Sequence, residues 1–421
     1  MLVLGIDIGT SGVRTAVLNA AGEPIASLAR ASHEADAGSN ANAWWQAVQQ
    51  AVRDQITLVK QAGYDPREIS GLAVDGTSGS MVLADADLKP VTPALLYNTA
   101  GFIAEAQRIA AFAPDPSITR GQSSALARML HLQALDQESK AVHLLHQADF
   151  IVAKFAGQSL GSDDNNALKT GWDPEARSWP DWLSAAGVNT ALLPKVSLVG
   201  EVIGKIEPAI ADQFDLSSTL GLHAGTTDSI AAFLASGANQ VGDAVTSLGT
   251  TLAIKLLSDT RVDDPASGVY SHRLGDNWLA GGASNTGGGV LAHFFSTDQL
   301  KDLSRLINPK IPSELCYYPL LKPGERFPIN DPHLQPRLEP RPTDDALFLH
   351  GLLESMARIE ETAYARLQAL GAPRPARLFT AGGGAKNDIW TAIRARRIAS
   401  KFKVPHHAEA AVGVARLCLD G

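Results

Sequence analysis

Near its N terminus the chain reads Gly5-Ile6-Asp7-Ile8-Gly9-Thr10-Ser11-Gly12, and the expected fold is built around this segment. The pattern predicts an apolar strand over Leu2–Ile8 and a second strand over Val13–Leu18. A short glycine-rich turn joins two such strands into a hairpin, because glycine adopts the backbone angles that the turn requires. Successive amides in the turn point the same way and form an anion cradle, with the hydroxyls of Thr10 and Ser11 beside it.

Asp7 adds a second kind of chemistry to this turn. A carboxylate does not suit an anion site unless a cation also lies there. The combination therefore suggests Mg²⁺ held between the protein and a nucleotide. An ordinary hairpin with a turn-capping aspartate explains the same residues, so this segment alone leaves both interpretations open.

The second half of the chain repeats the arrangement. Val245–Ile254 is again a strand, a Gly-Thr-Thr turn and a strand, with the turn at Gly249-Thr250-Thr251. A nucleotide gripped between two similar domains needs one such turn from each of them. The repetition therefore favours two related domains that share one nucleotide.

Length and composition set the broad class of protein. A chain of 421 residues exceeds what one hydrophobic core usually serves, so two domains are expected. The net charge of −8 argues against nucleic acid or an anionic membrane as the main partner. The chain has two cysteines and no long apolar stretch or charged leader, so we expect a cytoplasmic protein without a membrane span.

Two polar segments in the first half are candidates for contact with a small polar ligand. Asp75-Gly76-Thr77-Ser78-Gly79-Ser80 follows a buried strand predicted at Ile69–Val74. In an open α/β domain, small ligands lie at the carboxyl ends of strands, where hydroxyl side chains suit a sugar. A simple hairpin turn is the equal alternative. Asp163–Asn166 either approaches a polyol or holds itself together through Asx turns.

Asp228 opens a predicted helix directly after Gly225-Thr226-Thr227. The helix dipole favours the ionised carboxylate at this position, and helix stabilisation alone explains the residue. If the carboxylate faces the phosphate cradle, it has a further role, because it then accepts the proton of an attacking hydroxyl group.

A third glycine-rich segment lies near the C terminus. Gly382-Gly383-Gly384 connects the last predicted apolar strand, Arg377–Ala381, to a helix that contains Trp390. The glycines let a planar ligand approach the backbone, and the indole offers its face to an adenine ring. Basic residues that follow are expected on a solvated surface: Arg394, Arg396, Arg397, Lys401 and Lys403.

Taken together, these motifs resemble those of the FGGY family of carbohydrate kinases, and the resemblance covers nearly the whole chain. The first phosphate motif of the family matches Gly5–Gly12, the second matches Ser247–Thr251, and the adenosine motif matches Gly382–Trp390. The resemblance implies an α/β fold with two ribonuclease H-like (actin-like ATPase) domains. Residues 1–240 and 241–421 would form these domains, with the active site in the cleft between them.

The resemblance also implies roles for individual residues. Asp7 and Asp228 would hold the metal, Mg²⁺. The catalytic residues would be Asp7, Thr10 and Asp228, with Asp228 as the base. Thr77, Ser78 and Asp228 would contact the sugar. The implied contacts to ATP are Gly9, Thr10, Ser11, Gly12, Gly249, Thr250, Thr251, Gly383, Gly384, Asn387 and Trp390.

The implied reaction is transfer of the γ-phosphoryl group of MgATP to a terminal hydroxyl, O5, of a ketopentose. The Asp75–Ser80 loop lacks the Gln-Gln-His-Gly run of xylulose kinases and the Asn-Gln-Arg-Glu run of glycerol kinases. The compact chain resembles instead a branch of D-ribulose kinases shared by cyanobacteria and plants. D-ribulose is therefore the favoured substrate, with D-xylulose or another polyol or ketose as the alternative.

Two other classes of protein compete with this interpretation. Chaperone ATPases and filament proteins share the implied fold, but each needs a peptide-binding appendage or a polymer interface, which the motifs do not indicate. A sugar-binding regulator without catalysis is disfavoured by the presence of Asp7 and Asp228. We therefore expect an enzyme whose partners are a sugar and ATP, as a monomer or a homodimer.

Overall fold

The structure is a computed structural model that describes residues 1–34, 38–115 and 117–419. The chain divides into two compact units, Met1–Ala235 with Glu409–Gly421, and Ser236–Ala408. This division differs from the expected domains 1–240 and 241–421 chiefly at the C terminus, where the last segment joins the first unit. The end of the expected second domain, residues 420–421, lies outside the described residues.

The first unit alternates strands and helices. Its strands are β1 (Leu2–Ile8), β2 (Gly12–Asn19), β3 (Ala29–Ser32), β4 (Ile69–Gly76), β5 (Met81–Ala84), β6 (His143–His146), β7 (Ser162–Asp163), β8 (Val196–Ser197), β9 (Val202–Lys205), β10 (Gly221–His223) and β11 (Thr226–Thr227). The helices that precede the C-terminal segment are α1 (Ala41–Gln61), α2 (Ile103–Ala110), α3 (Ala125–Leu135), α4 (Gln147–Ala156), α5 (Asp164–Lys169), α6 (Trp182–Ala185), α7 (Pro208–Phe214) and α8 (Asp228–Ala235). Short 3-10 turns occur at Pro66–Glu68 and Thr190–Leu192.

The main sheet of this unit has the strand order β3-β2-β1-β4-β10-β9, with β11 also paired to β4. The first three strands form an antiparallel meander, whereas β4 runs parallel to β1 and β10 runs parallel to β4. All seven residues of β1 are buried, so this strand lies at the centre of the unit. The carboxyl ends of β1, β4 and β11 consequently meet at one edge of the sheet.

Helix α1 covers one face of this sheet. Asn40 caps its N terminus by accepting a hydrogen bond from the backbone NH of Asn42, and the buried side chain of Trp44 packs edge-to-face against Phe150 at 6.2 Å. Gln55, also buried, accepts a hydrogen bond from the backbone NH of Ala29 through Oε1 at 2.9 Å. Apolar packing and one satisfied buried amide thus hold α1 to the meander.

The second unit repeats the same plan. Its strands are β12 (Asp243–Leu248), β13 (Leu252–Ser258), β14 (Tyr270–Leu274), β15 (Asn277–Ser284), β16 (Arg377–Ala381) and β17 (Lys401–Lys403). Its helices are α9 (Gly288–Phe294), α10 (Thr297–Arg305), α11 (Asp345–Ala369) and α12 (Asp388–Arg397), with a 3-10 turn at Gly383–Lys386. The strand order is β14-β15-β13-β12-β16-β17.

The two sheets share a common set of five strands. In the first sheet β3-β2-β1 are antiparallel and β4 and β10 follow in parallel, and in the second sheet β15-β13-β12 are antiparallel and β16 and β17 follow in parallel. Each sheet adds one antiparallel edge strand, β9 in the first and β14 in the second. The repeat that the two turns suggested therefore extends to five strands of each sheet. This topology fits the expected α/β fold with two actin-like ATPase domains.

A buried ion pair lies in the core of the second unit. The side chains of Arg394 and Glu360 are both 0% exposed, with Nε and Oε2 2.6 Å apart. Thr246 donates to Oε1 of the same carboxylate. The prediction of a solvated surface is wrong for Arg394, because α12 turns this residue inward against α11. Arg396 and Arg397 are also paired, both with Glu354.

The C-terminal helix α13 (Ala410–Arg416) belongs to the first unit, where it packs on β1 and α8. Small residues permit the contact: a Cβ on Gly5 would lie 2.0 Å from the carbonyl oxygen of Ala411, and one on Gly413 would lie 1.8 Å from that of Ala231. These distances leave no room for a side chain. A glycine at position 5 of a buried strand is thus explained by close approach of the helix.

We predict that Gly5→Ala destabilises the first unit by roughly 2 kcal/mol or more, because the added methyl group overlaps rigid backbone. Urea unfolding followed by intrinsic fluorescence measures the change. Gly38→Ala is the control, since a Cβ there meets only Leu96 at the ordinary distance of 3.7 Å. Equal unfolding midpoints for the two variants would contradict the proposed packing of α13 on β1.

In the described part of the chain, none of the helices combines the length and apolar character that a membrane crossing requires.

Candidate functional site

The first Gly-Thr turn connects β1 to β2 at the edge of the first sheet. The backbone NH of Gly9 donates to the carbonyl oxygen of Gly12 at 3.0 Å, which closes the turn. Thr10 and Ser11, both predicted phosphate contacts, are exposed at its tip. His33, which sequence reasoning missed, lies with Nε2 2.8 Å from the carbonyl oxygen of Gly9 and donates to it. His33 thus holds the start of the turn at Gly9, while Thr10 and Ser11 at its tip are exposed to solvent.

Asp7 lies at the end of β1, directly before this turn. Its side chain is almost fully buried, and Oδ2 accepts a hydrogen bond from Nη1 of Arg14 at 3.0 Å. Burial raises the pKa of the Asp7 carboxyl above its ordinary value, and the Arg14 guanidinium opposes that increase. The predicted metal-binding aspartate is therefore present beside the turn, with one cation paired to it.

Asp75 is part of the predicted sugar loop, but the sequence alone assigned no role to its side chain. It lies opposite Asp7 in the register of the parallel strands β1 and β4, and it is 0% exposed. No N–H or hydroxyl group among the described residues donates to either oxygen of its carboxyl group, which is hydrogen-bonded to the carboxyl of Asp7. Burial, followed by the charges of Asp7 and Asp228, raises the pKa of Asp75 well above its ordinary value. One signal in the sequence could have identified it: Asp75 directly follows the buried strand predicted at Ile69–Val74.

Asp228 reaches the same region from a third strand. Thr226 of β11 lies opposite Asp75 in parallel register, and Asp228 follows two residues later at the start of α8. Its Oδ1 accepts a hydrogen bond from the backbone NH of Ser229 at 2.7 Å. The carboxylate is half-buried and acts electrostatically on Asp75. Both predicted aspartates, Asp7 and Asp228, are therefore brought to one edge of the first unit, with Asp75 between them.

Within the described residues, the hydroxyl of Thr77 in the predicted sugar loop is hydrogen-bonded and the hydroxyl of Ser78 is not. Thr77 is buried, and its Oγ1 lies 2.6 Å from Oγ of Ser80 and 2.8 Å from Oε1 of Gln147. Oε1 of Gln147 also accepts from the backbone NH of Thr77. Ser78 differs, because its buried Oγ has no partner among the described residues. Thr77 thus shapes the loop, whereas the hydroxyl of Ser78 forms no hydrogen bond within the described residues.

Arg128 of α3 fixes this loop to its neighbours. Its buried guanidinium donates to the carbonyl oxygens of Gly79, Tyr97 and Ser123 at 3.0, 2.9 and 2.8 Å. Burial lowers the pKa of Arg128 to about 10, so the side chain remains charged at neutral pH. One side chain therefore holds together three loops near the carboxyl end of β4.

The Asp163–Asn166 segment supports β11. Asp163 caps α5 by accepting hydrogen bonds from the backbone NH groups of Asn165 and Asn166, so the Asx-turn interpretation holds. Nδ2 of Asn165 also donates to Oγ1 of Thr226 at 3.1 Å, while its buried Oδ1 has no partner among the described residues. The segment thus positions the strand that carries Asp228, and it leaves one buried acceptor unsatisfied.

The second Gly-Thr turn, in the second unit, is packed against a glycine run. The backbone NH groups of Gly288 and Gly289 donate to the carbonyl oxygens of Gly249 and Thr250 at 2.8 and 2.9 Å. A Cβ on Gly288 would lie 2.6 Å from the carbonyl oxygen of Gly249. The glycines at the start of α9 are therefore explained by contact with the turn. The tip residue Thr250 is exposed, as a phosphate contact requires.

The third glycine-rich segment corrects part of the predicted nucleoside site. Trp390 is 1% exposed and lies in the core of the second unit, so its indole offers no free face to an adenine ring. Asn387 caps α12 through Oδ1 and donates to Oγ of Ser304 at 2.9 Å through Nδ2. A Cβ on Gly383 would meet no atom of the described residues within 4 Å, whereas a Cβ on Gly384 would lie 2.7 Å from Cζ3 of Trp390. The backbone remains available for a nucleoside, whereas these two side chains are structural.

A cation at the acidic edge would need ligands besides protein side chains. Among the described residues, no group of three or more His, Cys, Asp or Glu side chains is arranged to bind a metal ion. Magnesium usually keeps several waters and binds through one or two carboxylates together with substrate phosphates. The buried carboxyl of Asp75 lies against that of Asp7 and receives no N–H or hydroxyl donor from the described residues, so the pair fits an ion held in this way.

Comparison with known protein families decides the class. Residues 2–235 match the N-terminal domain of the FGGY family of carbohydrate kinases, and residues 244–419 match its C-terminal domain. The chain belongs to the FGGY family of carbohydrate kinases. It is accordingly a phosphotransferase enzyme, and the resemblance in its motifs is confirmed at the level of the family.

Individual relatives of this FGGY kinase are similar over most of their length. A xylulose kinase from Streptomyces coelicolor is 27% identical over 97% of this chain and 85% of its own. A xylulose kinase from Escherichia coli is 24% identical over 92% of this chain and 83% of its own. A solved structure from Brucella ovis, described as a xyloylose kinase, covers 100% of this chain and 90% of its own with a TM-score of 0.88 at 22% identity. That last similarity supports the fold alone.

Proposed function

We propose that this FGGY kinase transfers the γ-phosphoryl group of ATP to the terminal hydroxyl O5 of a ketopentose, with D-ribulose favoured. The observation that carries the proposal is the cluster of three carboxyl groups at one sheet edge, beside an exposed Gly-Thr-Ser turn. A phosphoryl acceptor needs a base, and a triphosphate needs a cation and amide donors; this edge holds candidates for each role.

The chemistry assigned to the residues is an in-line displacement. Asp228 accepts the proton of the attacking sugar hydroxyl as its oxygen forms the new bond to the γ-phosphorus. The bond from the γ-phosphorus to the β,γ-bridging oxygen breaks, and ADP leaves with that electron pair. Thr10 and Ser11 donate hydrogen bonds to phosphate oxygens, and Asp7 would hold a bound Mg²⁺ through its water molecules. A bound Mg²⁺ would neutralise charge on the phosphates.

The second unit supplies the remaining proposed contacts. The turn at Gly249, Thr250 and Thr251 would hold phosphate oxygens from the other side, and the backbone at Gly383 would meet the nucleoside. An active site in a cleft between the domains remains a prediction. Exclusion of water by domain closure would limit wasteful hydrolysis of ATP.

The choice of sugar rests on the Asp75–Ser80 loop. Ser78 offers an uncommitted hydroxyl, and the loop differs from the Gln-Gln-His-Gly run of xylulose kinases. D-ribulose is therefore favoured. D-xylulose is the alternative, and the two relatives above, both xylulose kinases, favour it.

A coupled ADP-release assay with Mg²⁺ tests the proposal across D-ribulose, D-xylulose, L-ribulose and glycerol. We expect a pentulose to raise ADP release severalfold above the rate with ATP alone, with the highest kcat/KM for D-ribulose. If kcat/KM is highest for D-xylulose, the proposed kinase reaction stands and the proposed substrate, D-ribulose, is wrong. A rate that no sugar changes would overturn the kinase proposal and favour a nucleotide-switch protein.

A further inference from the structure

Asp75 is the most anomalous polar group in the described part of the first unit. It is 0% exposed, and it lies between Asp7 and the strand that leads to Asp228. No N–H or hydroxyl group among the described residues donates to its oxygens, and its carboxyl is hydrogen-bonded to the carboxyl of Asp7. Two buried carboxyl groups in contact need either a shared proton or a cation beside them. Departures of this kind from complete hydrogen bonding are typical of functional sites.

We infer that Asp75 is a positioning residue that accepts hydrogen bonds from water molecules bound to the metal, beside Asp7. This inference rests on the proposed function, since it concerns the cation that accompanies ATP. It extends the site from two carboxylates to three. It also assigns a role to a residue outside the three motifs, Gly5–Gly12, Ser247–Thr251 and Gly382–Trp390, that carry the resemblance.

A second buried group points to the same place. Asn165 is 0% exposed and its Nδ2 donates to Oγ1 of Thr226, the residue opposite Asp75 in the parallel register. Its Oδ1 has no donor among the described residues, and the Asp75 oxygens receive none from an N–H or hydroxyl group. Unsatisfied acceptors from two separate segments flank the same strand, β11. Water molecules that donate hydrogen bonds satisfy such acceptors, and a hydrated cation supplies them.

The absence of a complete protein ligand set among residues 1–34, 38–115 and 117–419 favours binding through water. Residues that hold metal-bound groups without touching the ion still matter, and their loss typically weakens metal affinity by about 10- to 100-fold. The alternative is that Asp75 contacts the sugar directly. That contact would change the KM for the sugar and leave the affinity for the metal unchanged.

The test is the affinity of the full chain for Mn²⁺, used as the Mg²⁺ substitute, in the presence of a non-hydrolysable ATP analogue. Electron paramagnetic resonance measures free Mn²⁺ directly, so no turnover is needed. We expect Asp75→Asn and Asp75→Ser to raise the Kd for Mn²⁺ by about tenfold or more. An unchanged Kd in both variants would overturn the inference, whatever happens to sugar KM.

A matched control separates this role from a structural one. Asp149 is a buried aspartate of the same unit, but its Oδ2 accepts a hydrogen bond from the backbone NH of His146 at 3.1 Å. Asp149→Asn should leave the Kd for Mn²⁺ within about twofold. Metal-free Asp75→Asn should unfold at the same temperature as the wild type or higher, because its amide donates to the Asp7 carboxylate, whereas two carboxyl groups in contact must share a proton. A large decrease in that temperature together with an unchanged Kd would assign Asp75 to structure alone.

Failure of this inference and failure of the proposed function give different results. If no sugar is phosphorylated but Asp75→Asn weakens Mn²⁺ binding, the metal role stands and the kinase proposal falls. If the wild type phosphorylates a pentulose and both Asp75 variants bind Mn²⁺ normally, the kinase proposal stands and the role of Asp75 falls.

Discussion

Asp228→Asn is expected to lower kcat for sugar phosphorylation by about 10²- to 10⁴-fold, while the Kd for ATP changes little. The variant keeps the size and the hydrogen bond to the backbone NH of Ser229 but can no longer take a proton from the sugar hydroxyl. General-base catalysis by a positioned side chain contributes factors of about this size. Steady-state kinetics and calorimetric titration of ATP measure the two effects separately.

Asp298→Asn is the control for helix stabilisation. Asp298 lies in the first turn of α10, as Asp228 does in α8, but it is exposed to solvent. Loss of a charge from the first turn costs up to about 1 kcal/mol of stability through the helix dipole. If Asp228 had only this role, the two variants would behave alike and both would retain near-normal kcat.

Arg394→Met is expected to lower the free energy of unfolding of the second unit by about 3–5 kcal/mol. The substitution leaves the Glu360 carboxylate buried without its cation, and such an uncompensated charge is among the costliest single changes in a protein core. Thr246 would still donate to that carboxylate, but one neutral donor does not replace a guanidinium. Denaturant unfolding followed by circular dichroism reports the change.

The double variant Glu360→Gln with Arg394→Met identifies the cause. Glutamine at position 360 has no charge and still accepts the hydrogen bond from Thr246. Part of the lost free energy of unfolding should therefore return. A double variant less stable than Arg394→Met would instead assign the loss to altered packing. Near-wild-type stability of Arg394→Met would contradict the importance of the ion pair.

Local sequence pattern predicted the elements that depend on neighbouring residues. The β1–β2 hairpin followed from a glycine turn between two apolar runs, and the second turn predicted the same topology in the second unit. Asp228 was placed correctly at the start of a helix from the turn that precedes it. In each case the decisive contacts are close in sequence, so pattern and turn chemistry were sufficient.

Contacts between distant segments were not predictable in this way. Asp75 becomes notable only through its register with Asp7, and the loop sequence itself suggested Thr77 and Ser78 instead. Trp390 and Arg394 were expected to face a ligand and solvent, but their helix packs against α11 and buries both. Helical spacing alone does not specify which face a neighbouring helix will cover.

The long Pro-rich segment illustrates the same limit. It covers residues 311–344, where buried Glu325 accepts hydrogen bonds from Oγ of Ser284 at 2.6 Å and from the hydroxyl of Tyr318 at 3.0 Å. Ser284 ends β15, some forty residues earlier in the chain. No local pattern connects these residues, so the anchor emerges only from the fold.

Phosphorus NMR of a reaction with ATP, Mg²⁺ and D-ribulose tests the central claim most directly, because it identifies the acceptor of the phosphoryl group. The account predicts a new phosphate-monoester resonance that grows at the rate of ADP formation with the wild type and is strongly reduced with Asp228→Asn. Formation of ADP and inorganic phosphate alone, with no sugar ester from any pentulose tested, would contradict it.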